Sequence, residues 1–93
     1  MFQLSIAEFE KWKTENRKFF LVDVREEEEH EKKNIGGVLI PLGEIVLEKN
    51  KIPKDIPVIF YCRKGIRSQL AIQRLKQMEQ YTNLYNLTGG IGD

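Results

Sequence analysis

Residues 58–61 read Val-Ile-Phe-Tyr, and Cys62 extends this unbroken apolar run to five positions. A strand with one face in water alternates apolar and polar residues, so an unbroken run belongs to a strand covered on both faces. The rest of the chain supplies the cover in alternation. Ser5 and Glu8 form a capping-box pattern ahead of Phe9 and Trp12, which predicts a short helix. The run over 18–24 predicts a buried strand ending near Val24. Residues 25–34 place acids first and lysines last, as the dipole of a short exposed helix favours. Gly36-Gly37 predicts a turn, and Val38–Ile40 a short strand stopped by Pro41. Residues 43–51 predict another short helix, followed by a loop braced by Pro53 and Pro57. Over 67–80, Leu70 or Ala71, Leu75 and Met78 fall at helical spacing, with Arg74, Lys76 and Glu79 outside. Residues 83–87 predict a last strand. Strands alternating with helices point to an α/β fold: a three-layer sandwich with a mostly parallel central sheet flanked by helices, joined by right-handed crossovers. A single domain over 1–93 is expected.

Charge narrows the function. Fifteen Lys plus Arg against fourteen Asp plus Glu leave a formal charge of +1. No global field draws the chain to nucleic acid or to an anionic membrane, so neither is expected as a partner and any electrostatic function must be local. The apolar runs are too short for a membrane span or a signal peptide. A single cysteine cannot form an internal disulfide, which fits a reducing cytoplasm, the expected location.

That cysteine stands where a parallel sheet gathers ligands, at the carboxyl end of a strand. Cys62 is followed by Arg63, Lys64 and Gly65, and then by Ile66, Arg67 and Ser68 at the start of a predicted helix. The segment must curl tightly, and Gly65 supplies the backbone freedom. A curl leading into a helix start turns successive N–H groups inward and forms an anion cradle. Those donors, the helix dipole and the nearby cations all favour thiolate, so Cys62 is expected to ionise below the ordinary thiol range without a histidine partner. A lone cysteine at a strand end is more often a small buried hydrophobe. The basic glycine loop beside it argues for chemistry instead.

The loop 61–68, Tyr-Cys-Arg-Lys-Gly-Ile-Arg-Ser, with Leu-Val-Asp-Val-Arg-Glu upstream and Asn-Leu-Thr-Gly-Gly-Ile downstream, resembles the single-domain rhodaneses, the thiosulfate sulfurtransferase-like family. The motifs come in the family's order and cover nearly the whole chain. The resemblance implies that Cys62 accepts a sulfane sulfur as a persulfide and passes it to a thiophilic acceptor. Cyanide, a thiol or a sulfur-carrier protein are the acceptors it implies, and no cofactor or metal. Arg63 and Lys64 would hold the sulfonate of a donor such as thiosulfate. The amides from Arg63 through Gly65, Ile66 and Arg67 to Ser68 would cradle the persulfide, with Arg67 adding positive charge. Asp23 and Arg25 would brace the loop and its neighbours.

Related phosphatases place five residues between cysteine and arginine; here four separate Cys62 from Arg67. The smaller ring suits a terminal sulfur better than a phosphoryl group, and Asp23 is not assigned a proton-transfer role. His30 reads as part of a solvated helix face, so neither a Cys–His hydrolase nor a metal site around Glu26–His30 is expected. A non-catalytic rhodanese module used for protein binding is the competing reading, and the intact cysteine loop stands against it. Many relatives carry histidine and proline where this chain has Lys32-Lys33-Asn34-Ile35-Gly36. That variant is similar to rhodanese domains attached to adenylylating enzymes, which implies an intracellular sulfur relay. Relatives usually continue past Gly-Gly-Ile into a closing helix. Its absence from this sequence implies that part of the core is exposed, or is supplied by a partner or a second copy.

Overall fold

The computed structural model describes residues 1–92; Asp93, the last position of the expected domain, lies outside the described residues. Five strands, β1 (Phe2–Leu4), β2 (Phe20–Asp23), β3 (Val38–Leu39), β4 (Val58–Tyr61) and β5 (Leu84–Leu87), form one sheet in the order β1-β5-β4-β2-β3. All its pairings are parallel. Three α-helices, α1 (Ile6–Thr14), α2 (Glu27–Lys32) and α3 (Ile66–Met78), lie in the connections. The fold is the expected α/β sandwich.

The apolar run 58–61 is the centre of this arrangement. β4 pairs with β2 through Phe20↔Val58 to Asp23↔Tyr61 and with β5 through Val58↔Leu84 to Phe60↔Asn86. Its side chains alternate between two cores, as the period of two requires. Val58, Phe60 and Cys62 join Val22, Val24, Ala71, Ile72 and Leu75 on the α3 face. Ile59 and Tyr61 join Leu4, Phe9, Trp12 and Leu87 on the α1 face. Each of the fully buried large side chains contributes roughly 1.5–3 kcal/mol relative to exposure. On the α1 face a recess of about 250 Å³ opens among Ile6, Phe9, Glu10, Lys33, Ile35, Leu87 and Ile91.

α1 begins as its capping box dictates. Ser5 Oγ accepts the Glu8 amide at 3.0 Å, and Glu8 Oε1 accepts the Ser5 amide at 2.9 Å. Phe9 and Trp12 are its buried residues. α2 is short and buries none of its side chains fully.

Four local expectations change. The helix expected over 43–51 is instead two 3₁₀ turns, Leu42–Glu44 and Lys49–Lys51. Gly43 and the β-branched pair Ile45-Val46 weaken a helix there, and with Leu47 81% exposed only Ile45 of the segment is fully buried. In α3 the buried stripe is Ser68, Ala71, Ile72 and Leu75. Met78 (53% exposed) and Leu70 (39%) lie outside it. β3 pairs only over Val38–Leu39, with Ile40 adding one bond to the Asp23 carbonyl at 2.9 Å. β1 was not foreseen at all. Three residues are too few to show a period, and pairing with β5 makes this segment a strand.

Candidate active site

The Cys62 sulfur lies just beyond the end of β4, and the chain wraps around it before entering α3. Gly65 takes φ +90°, a left-handed conformation that L side chains rarely adopt, at the position preceding the helix. A Cβ there would come within 3.0 Å of the Gly89 amide nitrogen, so the loop also requires glycine for space. A second glycine turn closes the other side. The Ile91 amide donates to the Cys62 carbonyl at 3.0 Å, and the Gly92 amide to the Arg63 carbonyl at 2.9 Å. The downstream Gly-Gly-Ile motif therefore clamps the backbone of the cysteine loop.

With the loop so held, its amides converge on sulfur. The Gly65 amide reaches Cys62 Sγ at 3.1 Å and the Ser68 amide at 3.4 Å; Ser68 Oγ stands 3.4 Å away. Cys62 is only 1% exposed and its apolar neighbours belong to the α3 core. Burial pushes the thiol pKa up. The Ser68 hydroxyl and the amides of Ser68, Lys64 and Gly65 outweigh that effect and hold it below its ordinary value. The direction is the one expected. Hydrogen bonds cause the lowering: the inward amides are donors the sequence predicted, and the arginine and lysine charges it also invoked are not among the leading causes.

Above the sulfur, a pocket of about 230 Å³ is lined by Cys62, Arg63, Lys64, Ile66 and Arg67. Arg63 and Lys64 are exposed on its rim. Arg67, expected to add positive charge, is paired. Its two terminal nitrogens donate to Glu29 Oε1 and Oε2 at 2.7 and 2.8 Å, a bidentate pair from α3 to α2. That bond and the Glu26 amide bring the Glu29 carboxyl down to about 2, although burial opposes the shift. The charge of Arg67 is thus largely spent on holding α2.

Among the described residues, the hydrogen bonds of the Asp23 and Arg25 side chains run to each other, to His30 and to the Lys33 carbonyl. Arg25 Nε and Nη2 donate to the two Asp23 oxygens at 3.0 and 2.9 Å, and Nη2 also donates to the Lys33 carbonyl at 2.6 Å. His30 Nδ1 lies 2.8 Å from Asp23 Oδ2. Burial pushes the Asp23 carboxyl up, and the bonds from Arg25 and His30 more than offset this. The pair fastens α2 and the segment after it to the sheet. Arg25, Glu29, Lys32, Lys33, Arg63 and Gly92 line a second recess of about 260 Å³ beside the first, sharing Arg63 with it.

Sequence reasoning missed three residues here. His30, expected on a solvated face, is turned to Asp23 because α2 is anchored there, and Glu29 from the same acidic run is the partner of Arg67. Asn86, fully buried on β5, accepts a hydrogen bond from the Ser68 hydroxyl. Its signal was a carboxamide at an inward-facing position of an otherwise apolar strand.

The model of the Rhodanese-like domain matches residues 5–93. YqhL of Bacillus subtilis is 42% identical over 82 residues, covering 87% of this chain and 64% of its own length. YrkF of the same organism is 30% identical and covers 98% of this chain, which spans 49% of it. The chain thus spans about half to two thirds of the length of these curated relatives. The thiosulfate sulfurtransferase GlpE of Coxiella burnetii is 29% identical over 92 residues, covering 97% of this chain and 85% of its own. Among solved structures, a rhodanese-like domain protein from Staphylococcus aureus superposes with a TM-score of 0.85 at 25% identity, covering 97% of this chain and 87% of that one. The human single-domain sulfurtransferase TSTD1 superposes with a TM-score of 0.78 at 26% identity, covering 96% and 90%.

Proposed function

The chain belongs to the rhodanese-like domain family, and from that premise we propose that it is a sulfurtransferase working through a persulfide on Cys62. One observation carries the reading: a sulfur held by convergent amides at the base of a pocket rimmed by Arg63 and Lys64. With thiosulfate as donor, the Cys62 thiolate attacks the outer sulfur. The sulfur–sulfur bond of thiosulfate breaks, and sulfite leaves with the bonding pair. Arg63 and Lys64 stabilise the sulfonate as it approaches. The loop amides from Arg63 to Ser68 then face the terminal sulfur of the persulfide, which carries the negative charge. In the second half, cyanide or an acceptor thiolate attacks that terminal sulfur and Cys62 leaves as thiolate. Each half needs a stable Cys62 thiolate, once as nucleophile and once as leaving group.

The names sulfurtransferase and thiosulfate sulfurtransferase borne by relatives support the reaction class, and the sulfur-carrier name of YrkF supports a protein acceptor. The cytoplasm, where a lone thiol stays reduced, is the proposed place of action. Intact-mass spectrometry after incubation with thiosulfate tests the proposal. The protein should gain one sulfur atom and lose it to cyanide, while Cys62→Ser should gain none. A wild-type chain that takes up no sulfur would instead be a non-catalytic binding module.

A further inference from the structure

The Ser68 hydroxyl has one proton and two claimants. On one side is Cys62 Sγ, 3.4 Å away; on the other is Asn86 Oδ1, to which Ser68 Oγ donates. Asn86 is itself held from behind. Its Nδ2 donates to Gln3 Oε1 at 3.0 Å, and Thr88 Oγ1 donates to the same oxygen at 3.0 Å. The tether follows from the sheet, because Gln3 on the edge strand β1 lies directly beside Asn86 on β5. A carboxamide oxygen can only accept, so with Asn86 in this orientation the hydroxyl proton points away from sulfur. Ser68 Oγ then presents a lone pair to Sγ. That arrangement accepts a hydrogen bond from the thiol, and the hydroxyl supports the thiolate only after it turns from Asn86 to Sγ.

We infer that Asn86, oriented by Gln3, is a positioning residue that competes with Cys62 for the Ser68 hydroxyl and so restrains ionisation of the nucleophile. When Cys62 loses its proton to solvent, the hydroxyl turns from Asn86 to Sγ, and Asn86 Oδ1 is left without its donor in a fully buried place. This cost falls on the thiolate and not on a persulfide, whose inner sulfur carries little charge. The relay therefore favours the loaded state over the free thiolate. Its significance rests on the proposed sulfur transfer, but its test uses no sulfur donor, so either can fail alone. The charged groups around the Cys62 pocket, Arg63, Lys64 and Arg67 with its partner Glu29, are common to every variant below.

The test is the thiol titration of Cys62, followed by thiolate absorbance and by the pH dependence of alkylation with iodoacetamide. Asn86→Leu, similar in volume, should lower the apparent pKa by roughly one unit, giving about tenfold more thiolate at a pH below it. In a Ser68→Ala background the same substitution should have no effect, since the contested proton is gone. Gln3→Leu changes an exposed residue and guards against misfolding of the first variant. It should lower the pKa in the same direction by releasing the Asn86 amide to turn, whereas Gln3→Glu, which keeps the acceptor, should not lower it. An unchanged or raised pKa in both Asn86→Leu and Gln3→Leu, or a fall that persists without the Ser68 hydroxyl, overturns the inference.

Discussion

Replacing Glu29 by Gln removes one charge from the link between α2 and the cysteine loop and little else. The Arg67–Glu29 pair is bidentate at 2.7 and 2.8 Å, with the two side chains 32% and 31% exposed. A fall of the carboxyl from 4.5 to about 2 corresponds to roughly 3 kcal/mol if none of it is screened. Surface pairs measured directly yield only about 0.2–1 kcal/mol, while breaking a desolvated pair costs about 3–5 kcal/mol. A third-exposed bidentate pair lies nearer the first case, so the expected loss at neutral pH is about 1 kcal/mol. In a domain of this size that lowers the melting temperature by about 4–8 °C. The sign with pH follows from the depressed folded-state value. Between the folded and unfolded values the unfolded chain binds more protons, so the contribution is complete above the unfolded value of 4.5 and disappears as pH falls through about 2. Urea unfolding of both proteins at about pH 7 and about pH 3 reads this out. The variant should be less stable at the higher pH, and more than half of the difference should be gone at the lower one. A stability difference that is the same at both pH values would refute the assignment of the pair's energy to the Glu29 charge.

Asp23→Asn should cost more, about 3–5 kcal/mol in denaturant unfolding, because it leaves the buried Arg25 guanidinium without its counter-charge; a loss below about 1 kcal/mol would show that solvent compensates. Gly90→Ala introduces a Cβ within 2.5 Å of the Cys62 carbonyl oxygen at a residue with φ +67°. It should destabilise by at least about 2 kcal/mol and slow alkylation of Cys62, whereas wild-type melting would show that the turn has room to give. Lys64→Ala should weaken use of thiosulfate more than uptake from an uncharged persulfide donor, and equal losses in kcat/KM would remove its role in holding the sulfonate.

The order of strands and helices was legible because each major element declares itself within a few residues: Ser5 and Glu8 cap α1, Val58–Tyr61 has no polar interruption, and Cys62–Ser68 is one continuous loop. Contacts between residues distant in the chain were not legible. Glu29 is one of four consecutive glutamates and nothing local distinguishes it from its neighbours. It becomes the partner of Arg67 only because α2 is set against the start of α3, bringing together positions 38 residues apart.

The central strand, the glycine-dependent curl and the placing of the sole thiol inside it follow from residues near one another in the chain, since these rest on side-chain polarity and backbone freedom over short spans. Packing between distant elements makes β1 a strand, turns His30 to Asp23 and Glu29 to Arg67, and sets Asn86 and Gln3 behind Ser68. The physical reason is that a hydrogen bond depends on position to within a few tenths of an ångström. The pattern of residues along a chain fixes which groups can bond, and only the packing of one element on another fixes which of them meet.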